Sequence, residues 1–242
     1  MKRRILCIAF TLAYIIVSFG QGRIHSNIYA IKNCGVLFEG ENNPMHHFKV
    51  ESISIQPGKS YRSKSKGREF FIISRSGTSV FRTGTLRAGL TPRSIAVIPK
   101  GHAFQLTNNT PGGTSFYVIS YEAKDQAISS DTTHPFVRLW EDVPFRRHDR
   151  GGVQSYFDIH SSQTKRLELH LTTLNAGLKS HEPHTHKAEE MIIMIDGNTK
   201  MLIGDQYYTA DKDGIYYVES MVLHGIENAG TGPCSYFAFQ WE

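Results

Sequence analysis

An all-β protein of two tandem sandwiches or barrels is what this sequence predicts, on three observations. Aromatic residues make up 11% of the chain, and Gly and Pro recur at short intervals. No long segment shows the 3.6-residue apolar stripe of an amphipathic helix. Short apolar runs bounded by turn residues come in two series, split by a polar stretch.

Lys2, Arg3 and Arg4 open the chain. An apolar run from Ile5 to Val17 follows, and Ser18-Phe19-Gly20 supplies small residues at cleavage spacing. The pattern predicts a secretory signal peptide over 1-22 and an exported protein, periplasmic or extracellular. The run is too short for a membrane helix, so no stable span is expected after cleavage. Cys7 lies inside it, too early to be the lipid-modified cysteine of a lipoprotein. The leader holds three positive residues and no negative one, so its removal lowers the formal charge from +5 to +2. So small a balance does not point to nucleic acid as a partner.

Roughly 220 residues remain, enough for one large domain or two small ones. The first strands fall at 48–55, 69–74, 94–98 and 115–121, with turns at Pro57-Gly58, Ser76-Gly77 and Pro111-Gly112. They mark a domain over 23-125. Ser129-Ser130-Asp131-Thr132-Thr133 centres a polar linker, 126-136. The second series, at 153–158, 166–174, 191–195, 200–203, 215–218 and 235–241, marks a domain over 137-242. Cys34 and Cys234 outlast the leader; in an exported protein they either pair or stay free.

The second domain is organised around His184-Thr185-His186-Lys187-Ala188-Glu189-Glu190. Two His one residue apart on an extended segment turn their rings to the same side. Glu190 can join them if the chain folds back as the strand 191–195, and His224 adds a third imidazole from a later strand. Three His and one carboxylate suit one divalent ion, Mn, Zn, Fe or Ni, with room left for water or substrate.

At these residues the sequence resembles the cupin superfamily. The family's first motif ends in His-x-His, three or four residues, Glu, six residues, Gly; here those are His184, His186, Glu190 and Gly197, led by Gly177 one residue further off than usual. In the second motif His224 and Asn228 fit, while Asp213, Glu219 and Met221 replace the customary Gly, Pro and Gly, which questions the shape of that turn. Gly58, Glu69 and Gly77 read as a weaker first motif, with Ser63 and Ser65 nearest the positions of the His pair. Phe104 stands where the second-motif His would be, after Pro99-Lys100-Gly101 and before Asn108. The resemblance implies two jelly-roll (double-stranded β-helix) barrels, a degenerate metal-free one followed by a metal-binding one. It also implies a possible homodimer.

Cupins use a bound metal for redox-neutral and oxidative chemistry alike, so function has to come from the surroundings. Export favours redox-neutral work on extracellular material. The expectation is a metal-dependent lyase, dehydratase or isomerase acting on a uronic acid or acidic oligosaccharide. Such a reaction requires a base, and the candidates are His181, His170 and Tyr217. Tyr216 and Tyr217 lie on opposite faces of one strand, so only one can face inward. Arg146, Arg147 and Lys187 could attract an anionic substrate. Glu189 should point away from the metal if the strand alternates normally, which makes it the more exposed of the two Glu. Two alternatives stand beside this reading: an oxidative or decarboxylating cupin, of dioxygenase or oxalate type, and a non-enzymatic sugar- or metal-binding one.

Overall fold

A computed structural model describes residues 22–29, 34–63, 67–125 and 134–242. The expected signal peptide over 1-22, save Gly22, lies outside the described residues, as do 126–133 of the expected linker and Ser65. Among the described residues no helix is long and apolar enough to cross a membrane.

Each half is a barrel of two facing antiparallel sheets. In the C-terminal half the larger sheet runs Asn27–Tyr29, Ile215–Val218, Glu189–Asp196, Cys234–Trp241, Leu167–Leu174, Gly151–Ile159, Arg146–His148. The smaller runs Gln206–Ala210, Thr199–Ile203, His224–Asn228. In the N-terminal half the larger sheet runs Phe136–Arg138, Ile95–Ile98, Glu69–Ser76, Thr114–Ala123, Met45–Ile55, Gly35–Gly40. It is faced by Ser60–Arg62, Gln105–Thr107, Ser79–Thr83, Leu86–Leu90.

The continuous apolar runs of the central strands follow from burial on both faces. Ile192, Met194, Tyr216, Val218, Tyr236 and Ala238 point into the C-terminal barrel. The alternate residues Met191, Ile193, Tyr217, Phe237, Phe239 and Trp241 point out of it, into a third cluster shared with the N-terminal half. There Phe71 stacks on Phe239 with ring centroids 4.7 Å apart, and Phe48 on Trp241 at 4.6 Å. The large sheets therefore pack back to back through a core of buried apolar side chains.

The expected division at 126-136 is crossed twice. Asn27–Tyr29 pairs with Ile215–Val218 of the C-terminal barrel, and Phe136–Arg138 pairs with Ile95–Ile98 of the N-terminal one. Glu219 explains the first crossing. It replaces the proline common in the motif, and its carboxylate accepts the Arg23 Nε–H and the Ser26 backbone N–H, both at 3.0 Å. The turn after it keeps its shape without glycine: Met221 adopts φ +64°, where the N-terminal half has Gly101 at +95°. Cys34 is exposed, Cys234 is buried, and neither is in a disulfide.

Candidate metal centre

Two backbone bridges build the site. His184 and His224 exchange N–H···O bonds of 3.0 Å in both directions, and the Met221 N–H donates to the His186 carbonyl at 2.8 Å. Gly225 permits this approach, since a Cβ there would stand 3.1 Å from Pro183 Cα. The rings converge as a result: centroids lie 4.8 Å apart for His184 and His224, 4.7 Å for His186 and His224, and 5.2 Å for His184 and His186. One nitrogen from each of the three falls within 4.8 Å of the others. Glu190 enters from the neighbouring strand, its Oε2 3.1 Å from His224 Nε2 and 3.8 Å from His186 Nε2.

These residues fit a divalent ion. The Nδ1 atoms of His186 and His224 are engaged by the carbonyls of Ala188 and Val222, at 2.9 and 2.8 Å. That fixes the tautomer and leaves Nε2 as the free lone pair. Both Nε2 atoms, and His184 Nδ1, are buried without a hydrogen bond; even the 3.1 Å approach of His224 to Glu190 lacks hydrogen-bond geometry. Three buried nitrogens with no hydrogen-bond partner converge within 4.8 Å of one another, and two of them lie beside the Glu190 carboxylate, a donor set that suits a divalent ion. Burial would raise the Glu190 carboxyl, but His186, His224 and Gln240 outweigh it and hold it well below the usual carboxylate range. Burial, with His181, His224 and His186 nearby, lowers His184, while the contact with Glu190 raises His186.

A cavity of about 180 Å³ opens beside this cluster, lined by His170, Ser180, His181, His184, Glu190 and His224 among others. His170 and His181 thus share the space with three of the four candidate ligands, His184, Glu190 and His224. The His181 ring packs edge-on against His184 at 4.1 Å, and its Nδ1 faces the Glu182 carbonyl. His170 Nδ1 lies 3.2 Å from Glu168 Oε1, a carboxylate also held by Arg166.

The other expected residues lie elsewhere. Tyr217 is not in the cavity: it occupies an outward position of its strand, in the core between the halves, and its hydroxyl donates to Glu189 Oε2. Tyr216 is the inward one, bonded to Thr199. Glu189 points away from the centre but is 1% exposed, contrary to expectation, because the N-terminal barrel covers that face and Asn43 donates to its carboxylate. Arg146 and Arg147 lie on the exposed edge strand Arg146–His148, where Arg146 donates to Ser155 Oγ, and neither lines the cavity. Lys187 lines a different cavity, with Lys165, Trp241 and Glu242.

Strand register corrects the expected repeat. Glu69 pairs with Tyr121 as Glu189 pairs with Trp241, whereas Phe70 faces Ser120 as Glu190 faces Gln240. Glu69 is therefore the counterpart of Glu189, buried and bonded to Tyr121 and Ser162. The counterparts of Glu190 and His224 are Phe70 and Phe104, packed ring to edge at 5.2 Å. Sequence reasoning also missed Gln240, which donates to Glu190 Oε1 at 2.9 Å, and Glu168. The inward alternation of Tyr236 and Ala238 was the signal that could have found Gln240.

Fold and site together define a two-barrel protein whose second barrel carries three histidines and a carboxylate. Residues 170–239, within the C-terminal barrel, match the family model described as cupin domain, which bears out the resemblance to the cupin superfamily there. No curated protein matches the sequence. Among solved structures, a putative glyoxylate-induced protein from Pseudomonas aeruginosa is 13% identical with a TM-score of 0.68, over 90% of this chain and 81% of that one. AerE from Microcystis aeruginosa is 12% identical with a TM-score of 0.67, over 90% of this chain and 97% of that one. An oxalate decarboxylase is 12% identical with a TM-score of 0.66, over 90% of this chain and 77% of that one. At such identities the likeness is one of fold.

Proposed function

We propose that the C-terminal barrel is the catalytic domain of an exported, metal-dependent enzyme acting on a carboxylated sugar by dehydration, β-elimination or isomerisation. The observation that carries this reading is His170, which lines the same cavity as His184, Glu190 and His224, three of the four candidate ligands, and is held at Nδ1 by Glu168. A metal bound by the four ligands would supply Lewis-acid pull on the substrate carboxylate, which makes the neighbouring C–H bond more acidic. His170 Nε2 takes that proton, and Glu168 stabilises the imidazolium that results. In an elimination the C–H electron pair becomes the new double bond and the β-oxygen departs with its bonding pair. The buried wall of Ile192, Met201 and Tyr236 keeps bulk water from the carbanion-like state.

The test is ultraviolet absorbance of a conjugated product when metal-loaded protein meets uronates of one to three residues, with and without chelator. His170→Gln should lower turnover about 10²–10⁴-fold while metal content stays constant. No turnover on any acidic saccharide, or full turnover by His170→Gln, refutes the reading. A cavity of only about 180 Å³ favours a second one, decarboxylation or oxidation of a small acid. Release of carbon dioxide or uptake of dioxygen identifies it. Retention of metal or sugar with no turnover of any kind identifies a binding protein.

A further inference from the structure

Between Glu51 and Glu122 the sequence holds ten Lys or Arg residues and, of acidic ones, Glu69 alone. Beyond the leader the chain is only +2, so everything outside this stretch is net negative and the positive charge is gathered in the sequence of the N-terminal half. Two of the ten are engaged between the halves: Arg75 binds Asp213 at 2.8 Å, and Arg93 lies over the Trp140 ring.

Three others form a row. In the four-stranded sheet Arg62 pairs with Gln105, Gln105 with Arg82, and Arg82 with Arg87. Residues directly opposite one another share a face, so four side chains leave one surface across roughly 14 Å at the usual strand spacing. All three arginines are exposed, and none makes an ion pair among the described residues. No Asp or Glu lies on any of the four strands. Like charges set side by side on a sheet destabilise it, and a bound anion relieves them. Arg62, Arg82 and Gln105 also line a shallow groove of about 340 Å³.

The surroundings select among anions. Single-stranded nucleic acids are held by stacking on exposed aromatics, and membrane surfaces by apolar side chains set among the headgroups. None of the exposed large hydrophobic residues lies on these strands. Beside the row stand Ser60 and Thr107, whose hydroxyls are 2.9 Å apart, and the Gln105 amide donates to both at 3.0 Å. Guanidinium forks flanked by hydroxyl and amide groups suit carboxylates or sulfates on a hydroxyl-rich chain. We infer that the small sheet of the N-terminal barrel is a binding face for an anionic polysaccharide, separate from the metal centre.

The test passes leader-free protein over immobilised polygalacturonate, dextran sulfate, uncharged dextran, a DNA oligonucleotide and phosphatidylserine vesicles at physiological salt. The expected result is retention on an acidic polysaccharide and not on dextran; the first two supports tell carboxylate from sulfate. The triple variant Arg62→Ser, Arg82→Ser, Arg87→Ser should bind about tenfold more weakly, with circular dichroism and metal content unchanged. Chelation should leave binding intact, so failure of the catalytic reading does not carry over to this face. If the triple variant misfolds, Arg82→Glu should weaken binding where Arg82→Lys keeps it. The inference is overturned by no retention on either acidic polysaccharide, by tighter binding to the oligonucleotide or vesicles, by undiminished binding of the arginine variants, or by loss of binding on chelation.

Discussion

Replacing Tyr217 by Phe separates a structural role from a catalytic one. Its hydroxyl is buried and donates to Glu189 Oε2, while Glu189 Oε1 accepts the Asn43 N–H at 2.9 Å. Burial pushes the Glu189 carboxyl up, and it pushes the Tyr217 phenol up as well, so the phenol remains the donor. The variant keeps the ring against Phe38, Phe48 and Trp241 but leaves the carboxylate only one of these two donors. A hydrogen bond to a charged group contributes about 1.5–3 kcal/mol, and proton uptake by the stranded carboxylate offsets part of its loss. The expected net cost is about 2 kcal/mol. For a chain of this size that lowers Tm by about 4–8 °C, measured by thermal melts. Metal content and turnover per folded molecule should not change, because Tyr217 faces the core between the halves. An unshifted Tm with turnover abolished would refute the reasoning and return Tyr217 to the chemistry.

Three further perturbations follow from the same geometry. Gln240→Leu removes the 2.9 Å donor to Glu190, so metal affinity should fall about 10–100-fold in competition with a chromogenic chelator; wild-type affinity would show that the amide orients nothing. Burial raises the carboxyls of Glu69 and Glu189, so the folded state binds their protons more tightly than the unfolded chain. Their contribution is then complete below the ordinary carboxylate value and declines as pH rises through the raised folded values. Glu69→Gln with Glu189→Gln should flatten the dependence of Tm on pH over that window, and an unaltered slope counts against it. Glu219→Ala frees Arg23 and Ser26, and amide exchange across Asn27–Tyr29 should quicken about tenfold while the strand Met45–Ile55 keeps its protection. Equal protection in both proteins would show that the carboxylate does not hold the strand.

How much of this was legible in the sequence depended on whether a residue's neighbours were local. The all-β class and the pair of barrels followed from turn spacing and short apolar runs. The site was legible where His184, His186 and Glu190 sit within one turn and strand. Gln240 reaches Glu190 by cross-strand pairing, which alternation can suggest but only register can specify, while Glu168 reaches His170 from two residues away on the same strand. Tyr217 and Glu189 were misjudged for a related reason. A strand buried on both faces does not disclose which face meets the ligand cavity and which meets a second sheet. Glu69 reads as the motif glutamate of a metal-free barrel because Gly77 follows it at about the right distance, yet it lies one residue along the strand from that position and so on the opposite face. The arginine row lay hidden because Arg62, Arg82 and Arg87 belong to three strands.

The crossed edge strands bear on how the molecule is made. Ser26 and Glu219 are separated by 193 positions, so among the described residues the strand Asn27–Tyr29 waits for Ile215–Val218 before it gains a neighbouring strand. Contacts that close so large a loop form slowly. Until then the second barrel has a bare edge along Ile215–Val218 that a foreign strand could occupy. Completion of the C-terminal barrel therefore depends on a segment far away in the sequence, and a fragment beginning at residue 137 would carry that edge open throughout its life.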